Sequence, residues 1–264
     1  MRQRVVTGVI AAVGFLALLF LGGSWFAALI FLLSAIGFYE YARMNHISMK
    51  QIPFWIGVIG TGILVVPPKV SGHLPAFMSW EGGLWTILFL FLTYTVYSKN
   101  KINIDQVSVL FTGMLYIGVG FHYMVVTRNI HDGLFWSLFI FACIWATDSG
   151  AFLIGVKFGK HRLWPQISPK KSIEGSIGGL LFSIAAALSF YAAQPELISL
   201  TRALLMGLAI GVSGQVGDLI QSAYKRVRNI KDTGTILPGH GGVLDRMDSW
   251  LIVFPLVHYL FLTF

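Results

Sequence analysis

Apolar runs of membrane-spanning length recur along this 264-residue chain from one end to the other. The core of a bilayer offers no water to hydrogen-bond peptide groups, so a segment that crosses it must satisfy its own backbone, as an α-helix does. The chain is 56% hydrophobic and 11% charged, whereas an average soluble domain has about 25% charged residues. The sequence therefore predicts an all-α, polytopic membrane helix bundle and leaves little room for a soluble protein with buried helices.

Nine transmembrane helices account for the apolar runs. We predict them at residues 5–21, 24–40, 53–69, 80–97, 105–126, 134–155, 175–193, 200–221 and 249–264. On alternate sides of these spans the 19 basic residues divide sixteen to three. Because Lys and Arg are retained on the cytosolic side, we expect a cytosolic N-terminus and an external C-terminus. The N-terminal run also begins like a signal peptide, but it is long and its exit is a poor cleavage site, so we favour a retained span.

Charge and cysteine content exclude two classes of function. A formal net charge of +8 would suit nucleic acid, but in a membrane protein it more often reflects topology and anionic lipid headgroups. We therefore expect membrane lipids, and no nucleic acid, among the partners. The single cysteine, Cys143, lies inside an apolar run, so disulfides and cysteine-based metal sites are excluded.

The polar residues are concentrated in the second half of the chain. Ten of the nineteen basic residues lie in two predicted cytosolic loops, 156–174 and 222–248. Retention of Lys and Arg on the cytosolic side explains the positive charge of these loops, but not the carboxylates mixed among the cations. We therefore predict a single integral membrane domain over 1–264, with scaffold helices in 1–130 and a catalytic core in 145–250.

Two carboxylates, Asp148 and Asp218, lie within apolar spans near the cytosolic end. A carboxylate at the centre of a span costs about 2.5–3.5 kcal/mol on insertion scales, so such a residue normally faces the bundle and has a partner. One interpretation is a helix–helix hydrogen bond or an ion pair with a nearby Lys. For Asp218 we favour a functional role, because cations follow it on one stripe if the eighth helix continues past the membrane. The stripe consists of Asp218, Ser222, Lys225, Arg226 and Asn229.

A glycine-rich run, Pro238-Gly239-His240-Gly241-Gly242, lies in the second loop. Glycines let successive backbone N–H groups turn toward an anion, although such a turn alone is weak evidence. Asp245 and Asp248 follow three residues apart, so they share a face if the ninth helix begins early. Asp218 and Asp245 then lie at neighbouring helix ends around one loop, which is typical of a divalent-cation site built from oxygen ligands.

The first loop contains the run Ser168-Pro169-Lys170-Lys171-Ser172-Ile173-Glu174-Gly175. Two adjacent lysines, with hydroxyls on both sides and a helix start, match what a phosphate cradle needs. The competing interpretation is a plain basic turn next to the membrane. The run taken alone leaves both interpretations open.

These residues resemble the signature of a known family. The chain reads Ser222-x-x-Lys225-Arg226-x4-Lys231-Asp232-x-Gly234-x-x-Leu237-Pro238-x-His240-Gly241-Gly242-x-x-Asp245-Arg246. This run closely resembles the signature of phosphatidate cytidylyltransferases, also called CDP-diacylglycerol synthases. The stretches 148–151 and 168–175 are similar to two further parts of that family. The match covers about residues 145–250, and one departure is Gln221, where many members have Glu.

The resemblance implies that CTP and phosphatidic acid react to give CDP-diacylglycerol and pyrophosphate. It implies Mg²⁺ as the cofactor, held by Asp218 and Asp245, and leaves a second cation open. The expected catalytic residues are Asp218, Lys225, Arg226, Asp245 and Asp248. The expected substrate-binding residues are Asp148, Ser168, Lys170, Lys171, Ser222, Lys231, Asp232, Gly239, His240, Gly241, Gly242 and Arg246. The expected location is the cell membrane, with the site facing the cytosol.

Two other classes of function are weighed against this one. A CTP-dependent lipid or polyprenol kinase would transfer the γ-phosphate instead, but the block 238–246 favours the cytidylyl family. A secondary transporter would also carry carboxylates inside spans, yet such proteins usually have repeated halves and broken midplane helices. Here the polar residues gather at one face, which favours an enzyme. The sequence does not give the oligomeric state and leaves a homodimer open.

Overall fold

The computed structural model describes residues 2–66, 75, 77, 79–236, 239 and 241–263, with side chains from residue 7 onward. Nine α-helices and one small sheet form the regular structure of these residues. The helices are α1 (Arg2–Leu21), α2 (Gly23–Met44), α3 (Ile52–Val65), α4 (Trp80–Tyr97), α5 (Ile104–Asn129), α6 (Gly133–Phe158), α7 (Ile173–Ala193), α8 (Leu200–Val227) and α9 (Leu244–Val257). The strands are β1 (Arg162–Trp164) and β2 (Ser168–Ser172), and a π-helical turn, His258–Leu262, follows α9.

Each predicted span coincides with one of these helices, apart from the ends at 67–69 and 264, which lie outside the described residues. Within the described part of the chain, five helices are both long and apolar enough to cross a membrane: α2, α5, α6, α7 and α8. The apolar part of α1, Thr7–Leu21, and the whole of α3 are shorter. The prediction of a helical integral membrane protein is confirmed. The count of nine spans and the cytosolic N-terminus stay predictions.

Two local features differ from the expectation. The loop 156–174 contains a β-hairpin, in which Arg162 pairs with Ser172 and Trp164 with Ser168. Apolar and polar residues do not alternate in these strands, because the hairpin is held by backbone hydrogen bonds outside a buried core. Helix α8 ends at Val227, so Asn229 lies beyond the predicted helical stripe. Asn229 adopts a left-handed φ of 55°, which Asn tolerates and which ends a helix.

The internal contacts divide the chain into two compact units. The first unit comprises Met1–Asn129 and Asp232–Arg246, and the second comprises Ile130–Lys231 and Met247–Phe264. The loop 222–248, predicted to be cytosolic, is therefore divided between the units after residue 231. That the chain forms a single domain stays a prediction.

In the first unit, glycines let helices approach aromatic side chains closely. A Cβ on Gly57 of α3 would overlap the ring of Phe38 on α2, and a Cβ on Gly113 of α5 would overlap the ring of Tyr41. Both rings are buried. Because no side chain keeps the helix axes apart at these points, α2 packs tightly against α3 and α5.

In the second unit, small residues bring α7 close to α8. A Cβ on Gly207 would lie 2.9 Å from the Cβ of Ala187, and a Cβ on Gly211 would lie 2.9 Å from Cδ1 of Leu180. The hydroxyl of Ser183 donates a hydrogen bond to the Gly207 carbonyl at 2.8 Å. Gly207 and Gly211 therefore lie in close contact with α7, whereas a Cβ on Gly214 would have no neighbour closer than 3.7 Å.

We expect Gly207→Ala to destabilise the protein by about 1–3 kcal/mol, because the added methyl meets Ala187 Cβ at 2.9 Å and Ile184 Cα at 3.0 Å. Neither atom can rotate away. The thermal unfolding temperature of the purified protein in detergent measures the effect. Gly14→Ala is the control, because no atom lies within 4 Å of its Cβ and Ala is the better helix former. A wild-type unfolding temperature for Gly207→Ala would contradict the close packing.

Candidate active site

Asp218 on α8 forms an ion pair with a lysine of the hairpin. Its Oδ2 lies 2.6 Å from Nζ of Lys171, and about a third of its side chain is exposed. One helical turn later, the Ser222 hydroxyl donates to Asp218 Oδ1 at 3.2 Å. The ion pair that the sequence allowed for Asp218 is therefore present. Its cation comes from the lysine pair that the sequence assigned to phosphate binding.

A glycine on α8 brings the backbone of α9 against it. A Cβ on Gly217 would lie 2.7 Å from the Asp248 carbonyl oxygen and 2.9 Å from the Ser249 Cα. The Ser249 hydroxyl also donates to the Gly214 carbonyl at 3.0 Å. Any side chain at position 217 would push these backbones apart, so Gly217 is what allows Asp248 to lie near Asp218.

Negative charge is concentrated around Asp248. Burial, and then the charge of Asp218, raise the pKa of Asp248 to about 7. Asp148 raises it further, while Lys225 and the Ser249 backbone N–H, which donates to Asp248 Oδ1 at 2.8 Å, lower it. The second unit thus gathers three carboxylates and cationic side chains in one electrostatic neighbourhood.

The other predicted cations lie nearer the solvent. Arg226 joins the end of α8 to the hairpin, since its Nε donates to the Ile167 carbonyl at 3.1 Å and its Nη1 to the Ile230 carbonyl at 3.3 Å. The two neighbouring lysines of β2 differ, because Lys170 is exposed whereas Lys171 is half-buried against Asp218.

In the first unit, Asp245 joins two parts of the segment 232–246, at Thr233 and at Gly242. Its Oδ2 accepts hydrogen bonds from Thr233 N at 2.7 Å, Thr233 Oγ1 at 3.0 Å and Gly242 N at 2.9 Å. Gly241 has a φ of +83°, and a Cβ there would lie 2.7 Å from the same oxygen. The glycine run does turn an N–H group toward an anion, and in the case of Gly242 that anion is the Asp245 carboxylate.

The predicted site residues are divided between the two units. The second unit contains Asp148, Ser168, Lys170, Lys171, Asp218, Ser222, Lys225, Arg226, Lys231 and Asp248. The first unit contains Asp232, Gly239, Gly241, Gly242, Asp245 and Arg246. His240, with Leu237 and Pro238, lies outside the described residues. Within their units Lys231, Asp232, Gly239 and Arg246 are exposed.

Sequence reasoning missed two residues at these sites, Glu40 and Thr233, and left the role of Gln221 open. Glu40 on α2, placed in the scaffold, is buried and accepts hydrogen bonds from the segment that contains Asp245. Thr233 bonds to both carboxylates. Gln221 is fully buried, and neither polar atom of its side chain has a hydrogen-bond partner in the described structure. An acidic residue near the end of an apolar run was the one signal that would have indicated Glu40.

The donor chemistry of the second unit suits Mg²⁺. Among the described residues, no three or more His, Cys, Asp or Glu side chains form a group arranged to hold a metal ion. Mg²⁺ often uses only one or two carboxylates and takes its other ligands from water and substrate phosphates. The hard oxygens of Asp218 and Asp248, with the excess negative charge around them, fit such an ion. That Asp218 and Asp245 hold Mg²⁺ stays a prediction.

The apolar helices and this polar cluster define an integral membrane protein whose sequence matches a known family of enzymes. The model of the cytidylyltransferase family matches residues 2–264, and the chain belongs to that family.

Curated relatives extend over the whole chain. The phosphatidate cytidylyltransferase of Bacillus subtilis is 39% identical over 266 residues, which cover 100% of this chain and 98% of the relative. The enzymes of the same name from Staphylococcus saprophyticus and Staphylococcus epidermidis are 37% and 38% identical, each with 98% of both chains covered. The resemblance inferred from 145–250 is confirmed and extends to the N-terminal helices.

Without divalent cations, Asp248→Asn should change how stability depends on pH. The unfolded chain loses the Asp248 proton near the ordinary pKa of about 3.9, whereas the folded protein keeps it up to a pKa of about 7. The wild-type carboxylate therefore costs stability progressively as the pH rises from about 4 to about 7, and Asn does not. We expect the unfolding temperature of the variant to rise relative to that of the wild type as the pH increases over this range, measured in detergent with EDTA. A difference that is constant with pH would contradict the raised pKa.

Proposed function

We propose that this protein transfers the cytidylyl group of CTP to phosphatidic acid, giving CDP-diacylglycerol and pyrophosphate for phospholipid synthesis. The observation that carries the proposal is the cluster on α8, where Asp218 lies against Lys171 and shares its surroundings with Asp248 and Lys225. Membership of the cytidylyltransferase family and relatives named phosphatidate cytidylyltransferase support the same reaction.

The cluster meets the physical demands of that reaction. Both substrates are multiply anionic, so fixed cations must bring them together against their repulsion. Lys171 and Lys225 supply such cations near the carboxylates, and Arg226 and Lys231 add charge on the solvent side. Because Asp218 belongs to a helix that is long and apolar enough to span the membrane, the cluster suits a substrate whose phosphate is attached to a bilayer lipid.

The chemistry needs little beyond positioning and charge neutralisation. A phosphate oxygen of phosphatidic acid attacks the α-phosphorus of CTP. A new P–O bond forms as the bond to the β-phosphate oxygen breaks, and pyrophosphate leaves with that electron pair. A phosphomonoester has a second pKa of about 6, so it is largely ionised near pH 7 and needs no strong base. Phosphoryl-type transfers in general depend on the same two factors.

Mg²⁺ is the proposed cofactor, with a second cation left open. When bound, it would neutralise negative charge on the reacting phosphates. Asp218 is the first residue we assign to hold it, with Asp248 nearby in the same unit, and Asp245 remains the ligand predicted from sequence. Lys171 balances the charge of Asp218, and Ser222 orients that carboxylate through its 3.2 Å hydrogen bond.

We further propose a multi-pass protein of the cell membrane with nine spans, a cytosolic N-terminus and a site that faces the cytosol. The sixteen-to-three division of basic residues supports this orientation. CTP then reaches the site from the cytosol, and phosphatidic acid reaches it laterally from the bilayer. Because the predicted loops 156–174 and 222–248 lie on the cytosolic side in this orientation, all the assigned cations lie on the side from which CTP arrives.

Purified protein incubated with CTP, Mg²⁺ and phosphatidic acid should form CDP-diacylglycerol and pyrophosphate in equal amounts. Thin-layer chromatography of the lipid and a pyrophosphate assay measure the two products. The kinase alternative would instead release CDP and add a phosphate to the lipid acceptor. If CDP forms without CDP-diacylglycerol, with a polyprenol tested in parallel, the proposed reaction is wrong.

Asp218→Asn should lower kcat by at least about 10²-fold, because the amide keeps the shape but loses the charge that faces Lys171 and the cation. The unfolding temperature of the detergent-solubilised protein should change little. Asp132→Asn makes the same chemical change at a residue whose carboxylate pairs with the exposed His131, and it should leave turnover as in the wild type. Near-normal turnover of Asp218→Asn would rule out its proposed role.

A further inference from the structure

Glu40 is a buried acidic residue in the part of the chain that the sequence assigned to scaffold. It lies one turn from the end of α2, and only 1% of its surface is exposed. A buried carboxylate is costly unless hydrogen bonds or charges compensate it. Its hydrogen-bond partners within the first unit therefore show what compensates the carboxylate. They all belong to the segment 232–246.

Both oxygens of Glu40 accept hydrogen bonds from that segment. Oε1 accepts from Val243 N at 2.9 Å, and Oε2 accepts from Leu244 N at 3.0 Å. These N–H groups lie at the beginning of α9, where a helix has no internal acceptors for its first amides. A carboxylate at this end satisfies the amides and is favoured by the helix dipole. Glu40 thus caps α9 from about 200 residues earlier in the chain.

Thr233 connects Glu40 to Asp245. Its hydroxyl oxygen lies 3.1 Å from Glu40 Oε2 and 3.0 Å from Asp245 Oδ2, and its backbone N donates to the same Asp245 oxygen at 2.7 Å. One hydroxyl therefore fixes the separation of two carboxylates. Movement of Glu40 would release Thr233, and with it one of the groups that holds Asp245.

Two glycines of the segment are shaped around the same carboxylate. A Cβ on Gly234 would lie 2.6 Å from Glu40 Oε1, and a Cβ on Gly242 would overlap Glu40 Oε2 and the Thr233 hydroxyl. Gly242 also donates its N–H to Asp245. At Gly234 and Gly242 the backbone thus lies directly against the Glu40 side chain, which fills the space that side chains at 234 and 242 would need.

We propose that Glu40 is a positioning residue for the cytidylyl transfer: it holds the segment 232–246 in the conformation that presents Asp245 and Arg246. The inference rests on the proposed function. It does not place Glu40 in contact with a substrate. Its effect passes through Thr233, through the first turn of α9, and through the two glycines that enclose its carboxylate.

The test is Glu40→Gln in the full-length protein, purified in detergent. Gln keeps the size, but its NH₂ group cannot accept the amide hydrogen bond that a carboxylate oxygen accepts. We expect kcat to fall by at least about 30-fold while KM for phosphatidic acid changes by less than about threefold. In the same preparation, amide hydrogen exchange measured by mass spectrometry should speed up in peptides from 232–246 and stay unchanged in α6 and α7.

Ser34→Ala is the matched control, since Ser34 is another buried polar residue of α2, and its hydroxyl donates to the Phe31 carbonyl of its own helix. It should keep the wild-type kcat and the wild-type exchange of 232–246. Thr233→Val is the second variant, which keeps the Glu40 side chain but removes the hydroxyl that links it to Asp245. Its loss of kcat should resemble that of Glu40→Gln, and the double variant should lose no more than the larger single loss, because the residues act as a unit.

The possible outcomes separate this inference from the proposed function. If the wild type forms no CDP-diacylglycerol, the proposed function fails, and the exchange measurement still tests whether Glu40 orders the segment. If the wild type is active and Glu40→Gln stays within threefold of it in kcat, the positioning role is wrong. Unchanged exchange of 232–246 would also overturn it. If Glu40→Gln does not fold, Thr233→Val decides, and turnover within threefold of the wild type then refutes the role.

Discussion

A carboxylate at the end of an apolar helix must find compensation, and each compact unit of this protein is organised around one such residue. In the first unit Glu40 receives backbone amides of the segment 232–246. In the second, Asp218 receives the ammonium of Lys171 and the hydroxyl of Ser222. Both arrangements join a membrane helix to residues that come from a polar loop. Compensation of these carboxylates therefore joins a polar segment to an apolar helix in each unit.

The helices could be predicted from sequence because a bilayer allows few alternatives. Every predicted span coincides with a described helix, and the early start of α9 places Asp245 and Asp248 in its first turns. The hairpin at 162–172 and the helix end at Val227 could not be predicted from the pattern of apolar residues. Backbone pairing and one left-handed residue decide those features, and neither leaves a periodic signal in a short polar loop.

The candidate site was predictable in composition but not in its contacts. The sequence located the carboxylates, the lysines and the glycine run, yet it left the partner of Asp218 open and treated the glycines as an anion nest. In the structure Lys171 forms the ion pair with Asp218. The Gly242 N–H donates a hydrogen bond to Asp245, and the missing side chain at Gly242 leaves room for Glu40. Glu40 comes from a helix about 200 residues away in sequence, so no local pattern could assign it to this segment.

The central claim is that the α-phosphorus of CTP becomes bonded to the lipid phosphate. The most direct measurement follows CTP labelled with ³²P at the α position, and separately at the γ position, through extraction of the lipid after reaction with phosphatidic acid. We expect the α label to enter the organic phase as CDP-diacylglycerol and the γ label to stay in the water as pyrophosphate. Transfer of the γ label to the lipid, with the α label left in water-soluble CDP, would contradict it.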